Sequence, residues 1–172
     1  IKAIFARHEH QSDALIDIHC GDGNEALIPY CYWMLSKNKE MNEISKKMVK
    51  AFGIKHIIID DTRTQDINDS RYLGNTAVLR SCPAITTESG YLGKTDEESI
   101  SRNVTGILSV MRLFQMIPGE PEWRARRQRE LQVEAPLVVE RHGRITGPVG
   151  RPTRRATGPP PRARRSPRRW RC

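Results

Sequence analysis

The residues most able to do chemistry sit where short apolar runs end in ionisable side chains. The run Ala14-Leu15-Ile16-Asp17-Ile18 leads into His19, and the glycine- and carboxylate-rich loop Cys20-Gly21-Asp22-Gly23-Asn24-Glu25 follows. A run this short and isoleucine-rich has the pattern of a buried strand rather than a helix. Ligands in open α/β sheets gather beyond the carboxyl ends of strands, so a histidine there is placed for catalysis or metal binding. Asp17, two residues earlier, points to the same face. A carboxylate so placed can orient the imidazole, as the outer partners of metal-bound histidines do. A polar strand end closed by a turn accounts for the same residues, and at this point the two readings stand level.

Two more runs end alike, His56-Ile57-Ile58-Ile59-Asp60 and Pro83-Ala84-Ile85-Thr86-Thr87-Glu88. If the three strands are parallel neighbours, His19, Asp60 and Glu88 gather at one rim of a sheet. A histidine and a glutamate there suit metal-assisted hydrolysis, in which a metal polarises a carbonyl and activates water while a carboxylate carries the proton. Glu88 is the better carboxylate, because Gly90 and Gly93 after it let backbone and substrate approach closely. Asp60, with Asp61 beside it, reads as an ordinary loop-entry residue. Cys20 next to His19 makes a poor nucleophile pair, since neighbours on a strand face opposite ways. His19, Asp22 and Glu25 could together hold a metal, but a glycine-spaced loop is too loosely ordered to favour it. Cys20, Cys31, Cys82 and Cys172 include no Cys-x-x-Cys pair, which argues against a structural zinc or thioredoxin-type site.

The surrounding elements alternate. A helix is expected over residues 2–11, then the strand ending at His19, then an aromatic strand over Pro29–Leu35. The spacing of Met41, Ile44, Met48, Val49 and Phe52 predicts a helix from Asn38 to Phe52, stopped by Gly53. Residues 61–74 read as a polar loop, with a short helix across Thr76–Arg80. Thr95 and Glu98 form a capping box for a last helix whose core stripe is Ile100, Val104, Ile107, Leu108, Met111 and Phe114. The alternation predicts a layered α/β domain with a largely parallel sheet, although such a domain ordinarily has more strands.

The formal net charge of +9 is unevenly held. Residues 1–118 carry 14 Lys+Arg against 15 Asp+Glu, whereas residues 119–172 carry 15 arginines, no lysine and 5 glutamates. Eight of the 11 prolines lie in the second part. Within it, Trp123–Leu131 suggests one charged helix and Leu137-Val138-Val139 one short strand. Residues 143–172 are too poor in apolar side chains to bury a core and are expected to form a disordered Arg/Pro-rich tail. Arg, Pro, Gly and Ala are the residues of GC-rich codons, so a shifted or joined reading frame is the favoured origin of the tail. An arginine arm that binds nucleic acid and an inert linker are the alternatives. No apolar stretch is long enough to span a bilayer and no secretory signal is visible, so the expectation is a soluble, cytoplasmic protein without membrane contact.

The segments Ile16-Asp17-Ile18-His19-Cys20-Gly21-Asp22, Pro29-Tyr30 and Pro83-Ala84-Ile85-Thr86-Thr87-Glu88-Ser89-Gly90 resemble the succinylglutamate desuccinylase/aspartoacylase family, zinc-dependent deacylases related to the zinc carboxypeptidases. The resemblance covers residues 1–118 and includes Ala51-Phe52-Gly53 and the helix through Gly106 to Met116. It implies an incomplete three-layer α/β domain of zinc-carboxypeptidase-like type over 1–118. Residues 119–142 could hold a remnant of the family's C-terminal β domain. It further implies that His19 is a zinc ligand, that Asp17 supports it, and that Glu88 is the catalytic glutamate. The implied substrate is an N-acylated amino acid or a similar small acylated molecule. The family's other zinc ligands form a His-x-x-Glu pair, and this sequence contains none. Its Asn-Arg substrate segment is also missing. The expectation is therefore a fragment with its upstream part absent, inactive as given and weak or deficient in zinc.

Overall fold

The computed structural model describes residues 12–122 and the backbone of residues 129–132, 138–139 and 145–146. The helix expected over 2–11 and most of the expected tail lie outside these residues. The strands are β1 Leu15–His19, β2 Tyr30–Met34, β3 His56–Asp60, β4 Ala84–Glu88, β5 Arg129–Gln132, β6 Val138–Val139 and β7 Ile145–Thr146. The helices are α1 Lys39–Phe52, α2 Leu73–Leu79 and α3 Glu97–Leu113.

Five strands form one sheet in the order β1-β4-β2-β3-β5. β1 and β4 are parallel, and so are β2 with β3 and β3 with β5. β2 runs antiparallel to β4. The sheet is therefore mixed, not largely parallel as the alternation of elements predicts. The reason lies in the connection between β1 and β2. A parallel return needs a crossover, usually a helix, but residues 20–29 contain none, so β2 starts at the rim where β1 ended and runs back. β6 and β7 form a separate antiparallel pair. Arg129–Gln132 is a strand hydrogen-bonded to β3, which corrects the charged helix expected through Leu131. Ile145–Thr146 likewise is strand within the stretch expected to be disordered.

Alternate residues of each strand face opposite layers. Cys31, Trp33, Ile57 and Ile85 meet Met48, Val49 and Phe52 of α1 and Val110 of α3 on one face. Ala77 and Val78 of α2 cover Ala84 and Leu15 on the other, so helices flank the sheet on both sides. α1 begins at Asn38, whose side chain accepts from the amides of Glu40 and Met41, and it ends at Gly53 in the left-handed conformation (φ 84°).

α3 departs from its sequence reading at both its cap and its face. Asp96, not Thr95, caps it, accepting from the Ser99 amide at 2.9 Å. Ile100, Val104 and Leu108 are exposed. The buried residues are Ser99, Gly106, Ser109 and Val110, while Ile107 and Phe114 of the expected stripe do pack, partly buried, against the core. Small residues let α3 approach α1 closely, and a Cβ on Gly106 would stand 2.7 Å from the Phe52 ring.

Candidate active site

Register places the chemistry in rows across the sheet. His19 is paired with Glu88, and Glu88 with Tyr30, which in turn pairs with His56. One step down the strands, Asp17 is paired with Thr86 and Thr86 with Tyr32. In-register neighbours share a face and stand about 4.8 Å apart. His19 and Glu88 thus meet at one rim, as their positions at the ends of parallel strands predict. Asp60 does not join them. β3 runs opposite to β4, so its last residue, paired with Met34, lies about 13 Å down the strands from the Tyr30 row. There its buried carboxylate accepts from the Thr62 amide and hydroxyl and from the Arg63 guanidinium, the loop-entry role read for it.

Asp17 Oδ1 lies 3.1 Å from His19 Nε2. That contact fixes the ring and leaves Nδ1 as the other nitrogen. Glu88 is half-buried, and its Oε2 is shielded from solvent without a hydrogen-bond partner. Burial pushes its carboxyl above the ordinary glutamate range. His19 acts the other way, while the charges of Glu25, Asp17 and Asp22 add to the rise.

The loops beyond β1 and β4 are tied together by backbone hydrogen bonds. Ser89 N donates to His19 O, Gly21 N to Gly90 O, Gly93 N to Gly21 O and Leu92 N to Glu25 O. Gly90 adopts φ 120°, and a Cβ there would stand 3.0 Å from Cys20 Cβ. Glycine is needed on both counts. The loop carrying Asp22 and Glu25 is consequently ordered, but Glu25 turns its carboxylate onto the Asp22 amide at 3.2 Å. Arg102 supports the same rim, donating to Ser89 Oγ at 3.0 Å while paired with Glu98. Cys20 is exposed beside this rim.

A cavity of about 470 Å³ opens beneath His19 and Glu88, lined also by Asp17, Tyr32, Arg63, Arg71 and Tyr72. Arg63, Arg71 and Tyr72, from the stretch 61–74 expected to be a polar loop, form its far wall, and the last two residues of that stretch, Leu73 and Gly74, instead open α2. Arg63 makes that wall rigid by bonding Asp60 and stacking over Tyr72 at 3.9 Å. Asn75 of α2 ties the loop down by donating to Thr64 O and Ser70 Oγ. Tyr32, Arg63, Arg71 and Tyr72 were not singled out from sequence. Isolated arginines and tyrosines in a polar stretch carry no periodic signal, and only the fold of the loop brings them to the cavity.

A catalytic zinc takes about three protein ligands. Among the described residues no three His, Cys, Asp or Glu side chains are grouped to hold a metal ion. His19 offers one nitrogen and Asp17 is engaged with it, so these residues do not make a zinc site by themselves.

No family model and no curated protein matches the chain. Solved structures do. The chain is similar to a succinylglutamate desuccinylase/aspartoacylase from Rhodobacter sphaeroides, with a TM-score of 0.61 at 19% identity, covering 73% of this chain and 36% of that one. It is similar to the ectoine utilization protein EutE (DoeB) from Ruegeria pomeroyi, with a TM-score of 0.61 at 20% identity over 77% of this chain and 42% of that one. A succinylglutamate desuccinylase from a Silicibacter species gives 0.62 at 16% identity, over 74% and 37%. The fold is thus that of succinylglutamate desuccinylase/aspartoacylase structures, and the chain spans roughly two-fifths or less of their length.

Proposed function

We propose that this chain carries the strand-borne part of the active site of a zinc-dependent deacylase. The whole enzyme would cleave the amide of an N-acylated amino acid or a similar small substrate. The carrying observation is the facing pair His19 and Glu88, in register at the rim of a cavity, within a fold shared with deacylase structures. Glu88 is the proton carrier, because burial makes its carboxylate a stronger base than an exposed one. It accepts a proton as water attacks the carbonyl carbon and returns one to the departing nitrogen. Asp17 fixes the His19 ring, and His19 contributes one metal ligand. The remaining ligands belong to a His-x-x-Glu pair that these 172 residues do not contain. Arg71 in the cavity wall offers a cation for the substrate's carboxylate.

On this reading the isolated chain holds zinc weakly and does not turn over. Metal content after dialysis and hydrolysis of N-acetylated amino acids, measured on the same preparation, test it. Substoichiometric zinc without turnover is expected. Stoichiometric zinc with turnover would overturn the incomplete-site reading.

The composition of residues 119–172 favours a second, independent activity if the tail is a genuine product, namely electrostatic binding of nucleic acid.

A further inference from the structure

Tyr30 and Tyr32 alternate with Cys31 on β2, so both project from the face that bears Glu88 and Thr86. Their rings meet edge to face, with centroids 5.2 Å apart and planes at 89°. The Arg63 guanidinium lies 5.7 Å from the Tyr32 ring centroid and is itself held by Asp60 and Tyr72. Tyr32 is therefore braced by Tyr30 and Arg63 in the cavity wall it shares with His19 and Glu88. Its hydroxyl is a neutral donor in a cavity whose other polar groups include the carboxylates of Asp17 and Glu88.

We propose that Tyr32 is a further substrate-contacting residue of this site, donating to the carbonyl oxygen of the acyl group, with Tyr30 as the positioning residue behind it. The inference rests on the deacylase reading. As the water oxygen bonds to the carbonyl carbon, the π electron pair moves onto the carbonyl oxygen and the water proton passes to Glu88. A fixed donor at that oxygen gains strength as the charge develops. When the C–N bond breaks, the pair returns to reform the carbonyl and the nitrogen takes the proton from Glu88.

Binding by the full chain tests this without requiring turnover. N-acetylglycine and pentanoate have the same chain length and charge, but only the first offers an amide carbonyl. Tyr32→Phe keeps the ring against Arg63 and removes the hydroxyl. It is expected to weaken N-acetylglycine by about five- to tenfold, the worth of one hydrogen bond, and to leave pentanoate within about twofold. Tyr30→Leu, which removes the ring packed edge-to-face on Tyr32, is expected to weaken N-acetylglycine by about two- to threefold, because the donor remains but is less firmly held. In the unmutated chain carrying 3-fluorotyrosine, the Tyr32 fluorine resonance should shift with N-acetylglycine and not with pentanoate. Equal losses for the two ligands, or none, would overturn the role of Tyr32 while the site reading stands. Failure of the unmutated chain to bind N-acetylglycine would overturn both.

Discussion

Glu88, the proton carrier of the proposed reaction, bears opposed demands, since a partly buried carboxylate is a poor group for holding the fold together. Its folded-state carboxyl lies above the ordinary range, chiefly through burial. The folded chain therefore prefers the protonated form. The stability associated with Glu88 is present at low pH and is lost as pH rises through the folded value. Glu88→Gln, a neutral side chain of the same shape, should raise the melting temperature near neutral pH. The gain should vanish below about pH 4, where the ordinary glutamate is also neutral. Thermal melts of both proteins across that range check this, and a lower melt for the variant at neutral pH would count against it. His19 gains from its neighbour in a different way. The carboxylate of Asp17 sets the ring's orientation and leaves the remaining nitrogen for a ligand. The pairing of these two was legible in the sequence because strand geometry puts residues two apart on one face. Tyr32 and Arg71 were not legible, since nothing in their local sequence marks them as cavity residues.

Among the elements, the strands ending at His19, Asp60 and Glu88 were readable because isoleucine-rich runs bounded by polar or glycine-bearing segments have few alternatives. The helix from Lys39 was readable from its stripe and from Asn38 and Gly53 at its ends. Strand direction was not. It is set by where a loop without a helix can deliver the chain, and the antiparallel β2 moved Asp60 to the opposite rim. The face of α3 is legible only in part: Ile107 and Phe114 pack against the core as expected, and the remainder differs for another physical reason. The apolar stripe Ile100, Val104, Leu108 dominates the pattern, yet close packing selected the side with Gly106, Ser109 and Val110. Gly106→Ala should therefore destabilise the protein by about 1–3 kcal/mol, because the added methyl meets the Phe52 ring and one helix must shift. Chemical denaturation measures it. An unchanged or higher stability would mean that the α1–α3 contact is looser than described.

At the scale of the whole molecule, a balanced α/β portion is followed by an arginine-rich one. Among the described residues no helix is long and apolar enough to cross a membrane. If the arginines act on nucleic acid, binding should weaken steeply with salt and disappear when residues 143–172 are removed. Salt-independent or unchanged binding would end that reading. The fold of the described portion matches less than half the length of the deacylase structures it resembles. On the proposed reading, the chain supplies His19 and Glu88 but too few ligands to retain zinc. The most direct measurement is nitrogen NMR of the histidine side chains during a zinc titration of the full chain. The expected result is a weak, saturable shift centred on the His19 imidazole and lost in His19→Ala, with His56 unmoved. No zinc response at His19, or an equal response at His56, would contradict the assignment of this rim as part of a zinc deacylase site.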